Sequence, residues 1–275
     1  MPDAALSDMS LRDGASLQIE ELSVAYATRT GWLQALDAVS LSIPPGGVLG
    51  LVGESGSGKS TVVLALLGLL GPSARVQARR LAFDGHDLLR DAPALRGRRV
   101  GVVFQDTAAA LNPALTIGTQ VTEPMRIHRL GADDAGRTER ARQLLQRVGM
   151  PEDSLRRYPH EFSGGQRQRI AIARALAVEP EVLICDEVVS ALDVSVQATV
   201  LNLLLDLQEE RGLAYLFISH DLAVVKYMSD EVLVMRDGEV VERGAPEAIY
   251  RAPQHEYTRK LLAAIPRGLE GRLAA

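Results

Sequence analysis

A chain of 275 residues is long enough for one or two domains with a substantial hydrophobic core. Hydrophobic residues make up 47% of it, and 30 Lys and Arg residues against 35 Asp and Glu residues give a net charge of −5. This composition excludes a disordered chain, and the absence of a Lys/Arg excess disfavours a nucleic-acid-binding protein. The single cysteine, Cys185, excludes an intrachain disulfide and a CxxC metal site, which indicates a reducing compartment.

In chain order, the first predicted elements are two strands around residues 17–24 and 39–43, where apolar side chains nearly alternate. Residues 48–52 form a continuous apolar run, which is typical of a strand buried on both faces. A glycine-rich loop over residues 53–58 follows, and a helix is predicted over about 60–70. The longest apolar run, residues 62–70, is too short to span a membrane, so we expect any membrane connection to go through a partner.

Further buried strands are predicted at residues 100–104, 182–185 and 214–218, and helical segments, such as residues 170–177 and 194–211, alternate with them. This alternation predicts a parallel sheet. Residues 116–158 have no strand candidate and show helical spacing at Ala141, Leu144, Leu145 and Val148, so we expect an inserted helical subdomain there. After residue 230, an antiparallel hairpin is predicted around an Asp-Gly turn.

A phosphate-binding loop is predicted at residues 53–60, which match the pattern G-x4-G-K-[ST] between a strand and a helix. Backbone N–H groups at a helix N-terminus bind phosphates, and Lys59 supplies a positive charge to their oxygens. The Ser60 hydroxyl is a predicted Mg²⁺ ligand. The alternative is a glycine-rich turn that binds no phosphate. The residues predicted to bind the nucleotide here are Gly53, Glu54, Ser55, Gly56, Ser57, Gly58, Lys59, Ser60 and Thr61.

Two carboxylates, Asp186 and Glu187, end the apolar run that begins at Val182. Side chains at the carboxyl end of a parallel strand face the crevice in which such sheets bind ligands. We therefore expect Asp186 to hold Mg²⁺ and Glu187 to polarise the attacking water. Acidic strand ends are also common in other proteins, so this interpretation depends on the phosphate loop.

A second anion-binding helix terminus is predicted at residues 163–166, Ser-Gly-Gly-Gln, which we call the signature segment. Ser163 is a predicted N-cap, and Gly164 and Gly165 leave their N–H groups bare. The alternative is a well-capped helix without a ligand. Because one nucleotide needs only one such terminus, we expect each chain to serve a neighbour's nucleotide. Ser163, Gly164, Gly165 and Gln166 would then bind ATP in trans.

These motifs, with Gln105, Asp193 and His220, follow the order of an ABC transporter ATP-binding subunit, which the chain resembles over about residues 17–244. Residues 111–118, 158–162, 190–196 and 255–262 look like the dipeptide/oligopeptide/nickel importer branch. The resemblance implies an α/β fold with a RecA-like P-loop core, an antiparallel β-subdomain and an inserted helical subdomain, about residues 116–178, that carries the signature. It also implies an N-terminal extension (1–16) and a C-terminal helical tail (245–275).

The resemblance also implies roles for individual residues. Tyr26 would stack on adenine, Gln105 would couple Mg²⁺ and the nucleophilic water to the membrane subunits, and His220 would contact the γ-phosphate. Asp193 would lie at the dimer interface. Each has a simpler alternative: a strand aromatic, a polar strand end, a residue beside a helix start and a helix cap. The implied catalytic residues are Glu187, His220 and Gln105, and the implied Mg²⁺ ligands are Ser60, Gln105 and Asp186.

The function implied is ATP hydrolysis, with ATP and Mg²⁺ as cofactors, that powers import of peptides through a membrane permease. Import of nickel or a metal–chelator complex is the alternative, and a soluble ABC ATPase acting on DNA or the ribosome is the alternative from another class. The implied partners are a second, non-identical ATP-binding subunit, two transmembrane permease subunits and, indirectly, an extracytoplasmic solute-binding protein, with no nucleic acid. The expected location is the cytoplasmic face of the membrane.

The chain departs from the usual family pattern at three positions. Val188 stands where Pro usually follows the catalytic Glu, Phe162 replaces the commoner Leu of the signature, and Thr107 stands where Pro is common. The first change predicts a less rigid turn after Glu187.

Overall fold

The computed structural model describes residues 17–190 and 192–264. The extension predicted at residues 1–16, and residues 265–275 of the predicted tail, lie outside this part of the chain. The strands are β1 (Leu17–Thr28), β2 (Gly31–Ile43), β3 (Val48–Val52), β4 (Ala74–Gln77), β5 (Arg80–Phe83), β6 (His86–Asp87), β7 (Val100–Val103), β8 (Val182–Asp186), β9 (Ala214–Ser219), β10 (Glu231–Arg236) and β11 (Glu239–Gly244).

Helices connect these strands and end the described chain. They are α1 (Lys59–Leu66), α2 (Leu88–Leu95), α3 (Thr107–Ala110), α4 (Ile117–Ile127), α5 (Asp134–Arg147), α6 (Gly164–Leu176), α7 (Val194–Arg211), α8 (Leu222–Met228), α9 (Pro246–Arg251) and α10 (Glu256–Ala263). Two short 3₁₀ helices, Glu152–Arg156 and Pro159–Glu161, lie between α5 and α6. In the described part of the chain, no helix has both the length and the apolar character needed to span a membrane.

A six-stranded sheet forms the centre of the fold, in the order β11-β10-β3-β9-β8-β7, and its strands are parallel except for the edge strand β11. Successive residues of each inner strand pack in different hydrophobic clusters. On β9, Tyr215 and Phe217 pack on one face, whereas Leu216 and Ile218 pack on the other. Burial on both faces explains the continuous apolar runs. The predicted parallel sheet is confirmed.

The second sheet is antiparallel, in the order β2-β1-β5-β6, and β4 also pairs with β1. Strands β1 and β2 confirm the predicted pair. The register shifts between Ile19 and Leu22, and Glu21 adopts a positive φ of 53°. This bulge returns Leu22 to the buried face, which explains why the apolar alternation is imperfect.

Helix α1 lies between the two sheets, where Val62 and Leu66 pack in the cluster that both sheets share. The helix ends at Leu66, whereas the sequence predicted about residue 70. Gly68 adopts a left-handed φ of 60°, and the Leu69 N–H donates back to the Leu64 carbonyl at 2.8 Å. A left-handed glycine with such a bond is a common way to end a helix.

Between β7 and β8 the described chain is helical, from α3 to α6. The residues predicted at helical spacing, Ala141, Leu144, Leu145 and Val148, are buried and pack with side chains of α4 and α6. The predicted α/β fold class is confirmed: a parallel core, an antiparallel β-subdomain and an inserted helical subdomain. The subdomain limits, about 116–178, stay a prediction.

Candidate active site

The loop between β3 and α1 passes close to other backbone at positions that exclude a side chain. A Cβ atom at Gly53 would lie 2.3 Å from the Met235 carbonyl oxygen. Gly58 is the N-cap of α1, has a left-handed φ of 105° and makes no side-chain capping hydrogen bond. The first N–H groups of α1 are therefore not capped by a side chain and can donate to an anion.

Lys59, the first residue of α1, is buried, and its ammonium group binds the loop itself. Nζ donates to the carbonyl oxygens of Gly53 at 2.7 Å and Glu54 at 2.9 Å, and it lies 3.4 Å from Ser57 Oγ. Burial lowers the pKa of Lys59, and the two carboxylates at the end of β8 oppose this effect. The loop thus holds the Lys59 ammonium group in place. A bound phosphate would replace these carbonyl oxygens as its hydrogen-bond acceptor.

A cleft of about 740 Å³ opens at this loop. That volume is in the range of small-molecule sites. The loop, the carboxyl ends of the central strands, part of β2 and the turn between β10 and β11 line it. The lining residues are Leu33, Gln34, Ala35, Ser55, Gly56, Gly58, Lys59, Ser60, Thr61, Gln105, Glu187, His220, Asp237 and Gly238.

The predicted catalytic side chains meet at Glu187. Its Oε2 atom accepts a hydrogen bond from Gln105 Nε2 at 2.9 Å and lies 3.3 Å from His220 Nδ1. Strands β7, β8 and β9 are neighbours in the sheet, and their carboxyl ends bring these side chains together. The arrangement can orient a carboxylate toward a water molecule in the cleft.

Glu187 has a left-handed backbone, with φ of 50°, which is uncommon for a residue with a side chain. Its N–H donates to the Ile218 carbonyl at 2.9 Å. The Ser190 N–H and hydroxyl both donate to the Glu187 carbonyl, at 3.2 and 3.0 Å. Val188, in the place of the usual Pro, is buried. Hydrogen bonds therefore hold this turn without a proline.

Asp186, the last residue of β8, is half-buried beside Glu187. Burial and the neighbouring carboxylate raise the pKa of Asp186, and Lys59 opposes the change. A divalent cation would relieve this repulsion. Asp186, the Ser60 hydroxyl and the Gln105 amide oxygen are an all-oxygen set of the kind that Mg²⁺ prefers. The residues present therefore fit Mg²⁺.

The cleft does not contain every predicted nucleotide-binding residue. Tyr26 lies on β1 directly opposite Leu33 of β2; Leu33 lines the cleft, whereas Tyr26 packs half-buried against the hydrophobic cluster between the sheets. The stacking of Tyr26 on adenine stays a prediction. The other predicted residues of the loop and strand end that do not line the cleft are Gly53, Glu54, Ser57 and Asp186.

The signature segment begins α6 and does not line the cleft. Ser163 is the N-cap, as predicted, because its Oγ accepts from the Gln166 N–H at 3.3 Å and Gln166 Oε1 accepts from the Ser163 N–H at 2.9 Å. The N–H groups of Gly164 and Gly165 have no possible partner within the helix. A Cβ at Gly164 would meet no atom of the described residues within 4 Å, whereas one at Gly165 would lie 2.7 Å from Val196 Cγ1. Among the described residues, this helix end is therefore uncovered at Gly164.

Asp193 caps α7, where its Oδ1 accepts from the Val196 N–H at 3.1 Å. The Val196 side chain lies against Gly165, so Asp193 and the signature segment are neighbours. The capping alternative for Asp193 is thus realised, and its place at a dimer interface stays a prediction.

The cleft also includes residues that the sequence analysis missed. Leu33 comes from β2, and Asp237 and Gly238 form the turn between β10 and β11. The Gly238 N–H donates to the Ser57 carbonyl at 3.1 Å, and the Gly238 carbonyl accepts from the Asp37 N–H at 2.9 Å. The Asp-Gly pair predicted a turn, but no sequence signal placed that turn against the phosphate loop.

Comparison with known proteins identifies the family. The protein-family model described as ABC transporter matches residues 36–190 of this chain. A peptide import ATP-binding protein of Brucella ovis is 50% identical over 253 residues, which cover 91% of this chain and 78% of that protein. The glutathione import ATP-binding protein GsiA of Salmonella typhimurium is 49% identical over 91% of this chain, which spans 41% of that protein.

Solved structures similar to this chain belong to the same family. A dimeric ATP-binding cassette in a post-hydrolysis state, bound to ADP and Pi, has a TM-score of 0.75 and 28% identity, covering 84% of this chain and 98% of that one. The cbiO1 protein of Clostridium perfringens, part of an ABC transporter complex, has a TM-score of 0.74 and 30% identity, covering 93% of this chain and 97% of that one. The chain belongs to the ABC transporter family, as one of its ATP-binding, ATP-hydrolysing cassettes.

Proposed function

We propose that this ATPase powers the import of peptides, or related small solutes, through a membrane permease. The observation that carries the proposal is the meeting of Gln105, Glu187 and His220 in a cleft lined by the phosphate loop. The peptide class is supported by the similarity to the Brucella protein, which extends over nine-tenths of this chain.

In the proposed mechanism, Glu187 polarises the attacking water. Gln105 and His220 both contact Oε2, so we assign Oε1 to the water. Lys59 would leave the Gly53 carbonyl and offset the charge that develops on the transferred phosphoryl group. His220, with 57% of its side chain exposed, would contact the γ-phosphate.

Ser60, Gln105 and Asp186 would hold Mg²⁺, which supplies positive charge to the β- and γ-phosphate oxygens. Burial and, after it, the adjacent Glu187 carboxylate raise the pKa of Asp186, and a bound cation would offset both effects, which supports this assignment. Because Asp186 is half-buried, its charge is screened less than that of an exposed carboxylate.

We infer that Gln105 couples the site to the membrane subunits. It lies between β7 and α3, the first of the helices that connect β7 to β8 and lead into the helical subdomain. A rigid-body movement of that subdomain would shift Gln105 relative to Glu187 and so make or break their hydrogen bond.

The proposed assembly contains a second, non-identical ATP-binding subunit and two transmembrane permease subunits, at the cytoplasmic face of the membrane, and an extracytoplasmic solute-binding protein acts with it indirectly. In the closed pair, the signature segment would bind the partner's ATP, Asp193 would lie at the interface and Tyr26 would stack on adenine. The C-terminal helices α9 and α10 would belong to the tail of the importer branch.

The test is uptake by vesicles reconstituted with this chain and the subunits encoded beside it. A labelled dipeptide should accumulate only with ATP on the side of the cassettes, and Glu187→Gln should abolish accumulation. Uptake that persists with Glu187→Gln would contradict the proposal.

Glutathione, itself a tripeptide, is a second candidate solute, because the Salmonella relative named for its import is 49% identical. Direct uptake in the same vesicles separates the candidates. Labelled peptide, labelled glutathione and labelled Ni²⁺ are supplied in turn, and the solute that accumulates with ATP is the one that the assembly carries.

A further inference from the structure

The C-terminal helix α10 touches the phosphate loop through Tyr257. The Tyr257 hydroxyl accepts a hydrogen bond from the Glu54 backbone N–H at 2.9 Å. The residue is 5% exposed, and the Arg236 guanidinium lies 5.2 Å from the centre of its ring. A residue near the end of the described chain thus binds a loop formed near its beginning.

The start of α10 is held in place independently of the loop. Glu242 of β11, which is 8% exposed, accepts from the Gln254 N–H at 2.7 Å and the His255 N–H at 3.0 Å. His255 Nδ1 then caps α10 by accepting from the Tyr257 N–H at 3.2 Å. The position of Tyr257 is therefore set by the central sheet, through Glu242.

One peptide of the loop is bound from both sides. Its C=O belongs to Gly53 and accepts from Lys59 Nζ at 2.7 Å, and its N–H belongs to Glu54 and donates to Tyr257. In a trans peptide these two groups point in opposite directions, so the two contacts together fix the peptide plane.

We propose that Tyr257 is a positioning residue of the nucleotide site. Its hydroxyl fixes the Gly53–Glu54 peptide, so that the loop keeps its phosphate-binding shape when Lys59 leaves the Gly53 carbonyl for a nucleotide phosphate. Without the hydroxyl, the freed loop would sample other peptide orientations, and nucleotide binding would have to restore the correct one. This inference rests on nucleotide binding by the loop and not on the imported solute.

The test is the affinity of the full chain for MgADP, measured by calorimetry, which needs neither hydrolysis nor transport. Tyr257→Phe keeps the ring and removes the hydroxyl. Because one hydrogen bond is worth roughly a factor of 2 to 12 in an equilibrium, we expect MgADP to bind about 3- to 10-fold more weakly. The KM for ATP should rise while kcat changes little.

Tyr215→Phe is the matched control. The Tyr215 hydroxyl also makes one hydrogen bond to the backbone, in this case by donating to the Leu204 carbonyl at 2.9 Å. Tyr215 pairs with the start of β3, at the end of the strand away from the loop. This variant should leave MgADP affinity within about twofold of wild type while lowering thermal stability. Wild-type affinity for Tyr257→Phe, or an equal loss of affinity in both variants, would overturn the proposal.

A double-mutant cycle tests the path through Glu242. If Glu242→Ala acts by releasing Tyr257, it should weaken MgADP binding in the wild-type background and add little to Tyr257→Phe. Fully additive losses would overturn the proposal that Glu242 and Tyr257 act as one unit.

Discussion

Glu187 combines an uncommon backbone conformation with a carboxylate oxygen, Oε2, that contacts both Gln105 and His220. The left-handed φ of 50° costs roughly 1–3 kcal/mol, a cost that surrounding contacts must offset. Bonds to Ile218 and Ser190 fix the backbone, and Gln105 fixes the side chain. The carboxylate is therefore oriented before a nucleotide binds, which reduces the reorganisation needed during hydrolysis.

Glu187→Gln should retain ATP binding and lower turnover by about a hundredfold or more, because an amide cannot polarise water as a carboxylate does. Phosphate release gives the rate, and calorimetry gives the affinity. Glu181→Gln is the control, since Glu181 is paired with Arg99 and does not line the cleft. Turnover within twofold of wild type in Glu187→Gln would exclude Glu187 from this role.

Asp186→Asn should stabilise the fold while it removes a proposed Mg²⁺ ligand. The raised pKa of Asp186 means that its charged form is disfavoured in the folded chain. Below the pKa of an unfolded Asp, about 3.9, residue 186 is neutral in both the wild type and the variant, so their stabilities do not differ through this charge. As pH rises through the raised pKa of the folded state, the free energy of unfolding of the wild type falls relative to that of Asp186→Asn.

Thermal unfolding measures this effect. At neutral pH without nucleotide, Asp186→Asn should have a Tm a few degrees above wild type, since 1 kcal/mol corresponds to about 2–4 °C near this chain length. Added Mg²⁺ and ADP should stabilise the wild type more than the variant. A lower Tm for the variant without nucleotide would contradict the prediction.

The helices and strands that the sequence predicted are those with a recognisable pattern in their own residues. Strands β3, β8 and β9 are continuous apolar runs because both faces are buried, and α7 was predicted with its observed bounds. No prediction covered β4 or β5. In β4, half-buried and exposed residues alternate over four positions, and in β5 a polar residue precedes three buried ones. They become strands by pairing with β1, which no local pattern encodes.

The turn between β10 and β11 should tolerate no side chain at Gly238. Its φ is 87°, and a Cβ there would lie 2.6 Å from the Ala35 carbonyl oxygen. Gly85 has a similar φ of 79°, but no atom of residues 17–190 or 192–264 would lie within 4 Å of a Cβ added there, so Gly85→Ala isolates the cost of the backbone conformation.

Urea unfolding should give a loss of about 1–2 kcal/mol for Gly85→Ala. Gly238→Ala should lose roughly 1–3 kcal/mol more, because the methyl group pushes the turn away from β2. It should also weaken MgADP binding, since the Gly238 N–H holds the Ser57 carbonyl. Equal losses of stability in the two variants would show that the close contact carries no cost.

Across the whole molecule, the nucleotide cleft joins parts that are distant in the chain. The phosphate loop was predicted from its own motif, and so were the acidic end of β8 and the capped start of α6. The contacts that shape the loop from outside were not predictable, because Glu54 and Tyr257 lie 203 positions apart and neither carries a pattern that names the other. Only the folded chain brings Tyr257 within hydrogen-bond distance of Glu54.

The signature segment should act on a nucleotide held by another chain, and Gly164 is the position at which to test this. Gly165→Asp would confound charge with a clash, since a Cβ there would lie 2.7 Å from Val196, whereas one at Gly164 would meet no atom within 4 Å in the described part of the chain. An Asp in the first turn of α6 favours the helix itself. The isolated Gly164→Asp chain should therefore fold and bind ATP as the wild type does.

In the closed pair, the Gly164→Asp carboxylate would oppose the partner's γ-phosphate, at a cost of about 4 kcal/mol for roughly 4 Å and an effective dielectric near 20. Gly164→Asn has the same size without the charge. In the assembled transporter, a photoactivatable ATP analogue held by the partner should label the signature segment of wild type and, more weakly, of Gly164→Asn, but not of Gly164→Asp.

Labelling that reaches only the partner in all three chains would contradict action in trans. If both variants lost labelling of the signature segment equally, space and not charge would limit closure, because only a phosphate facing residue 164 makes labelling weaker in the Asp chain than in the Asn chain.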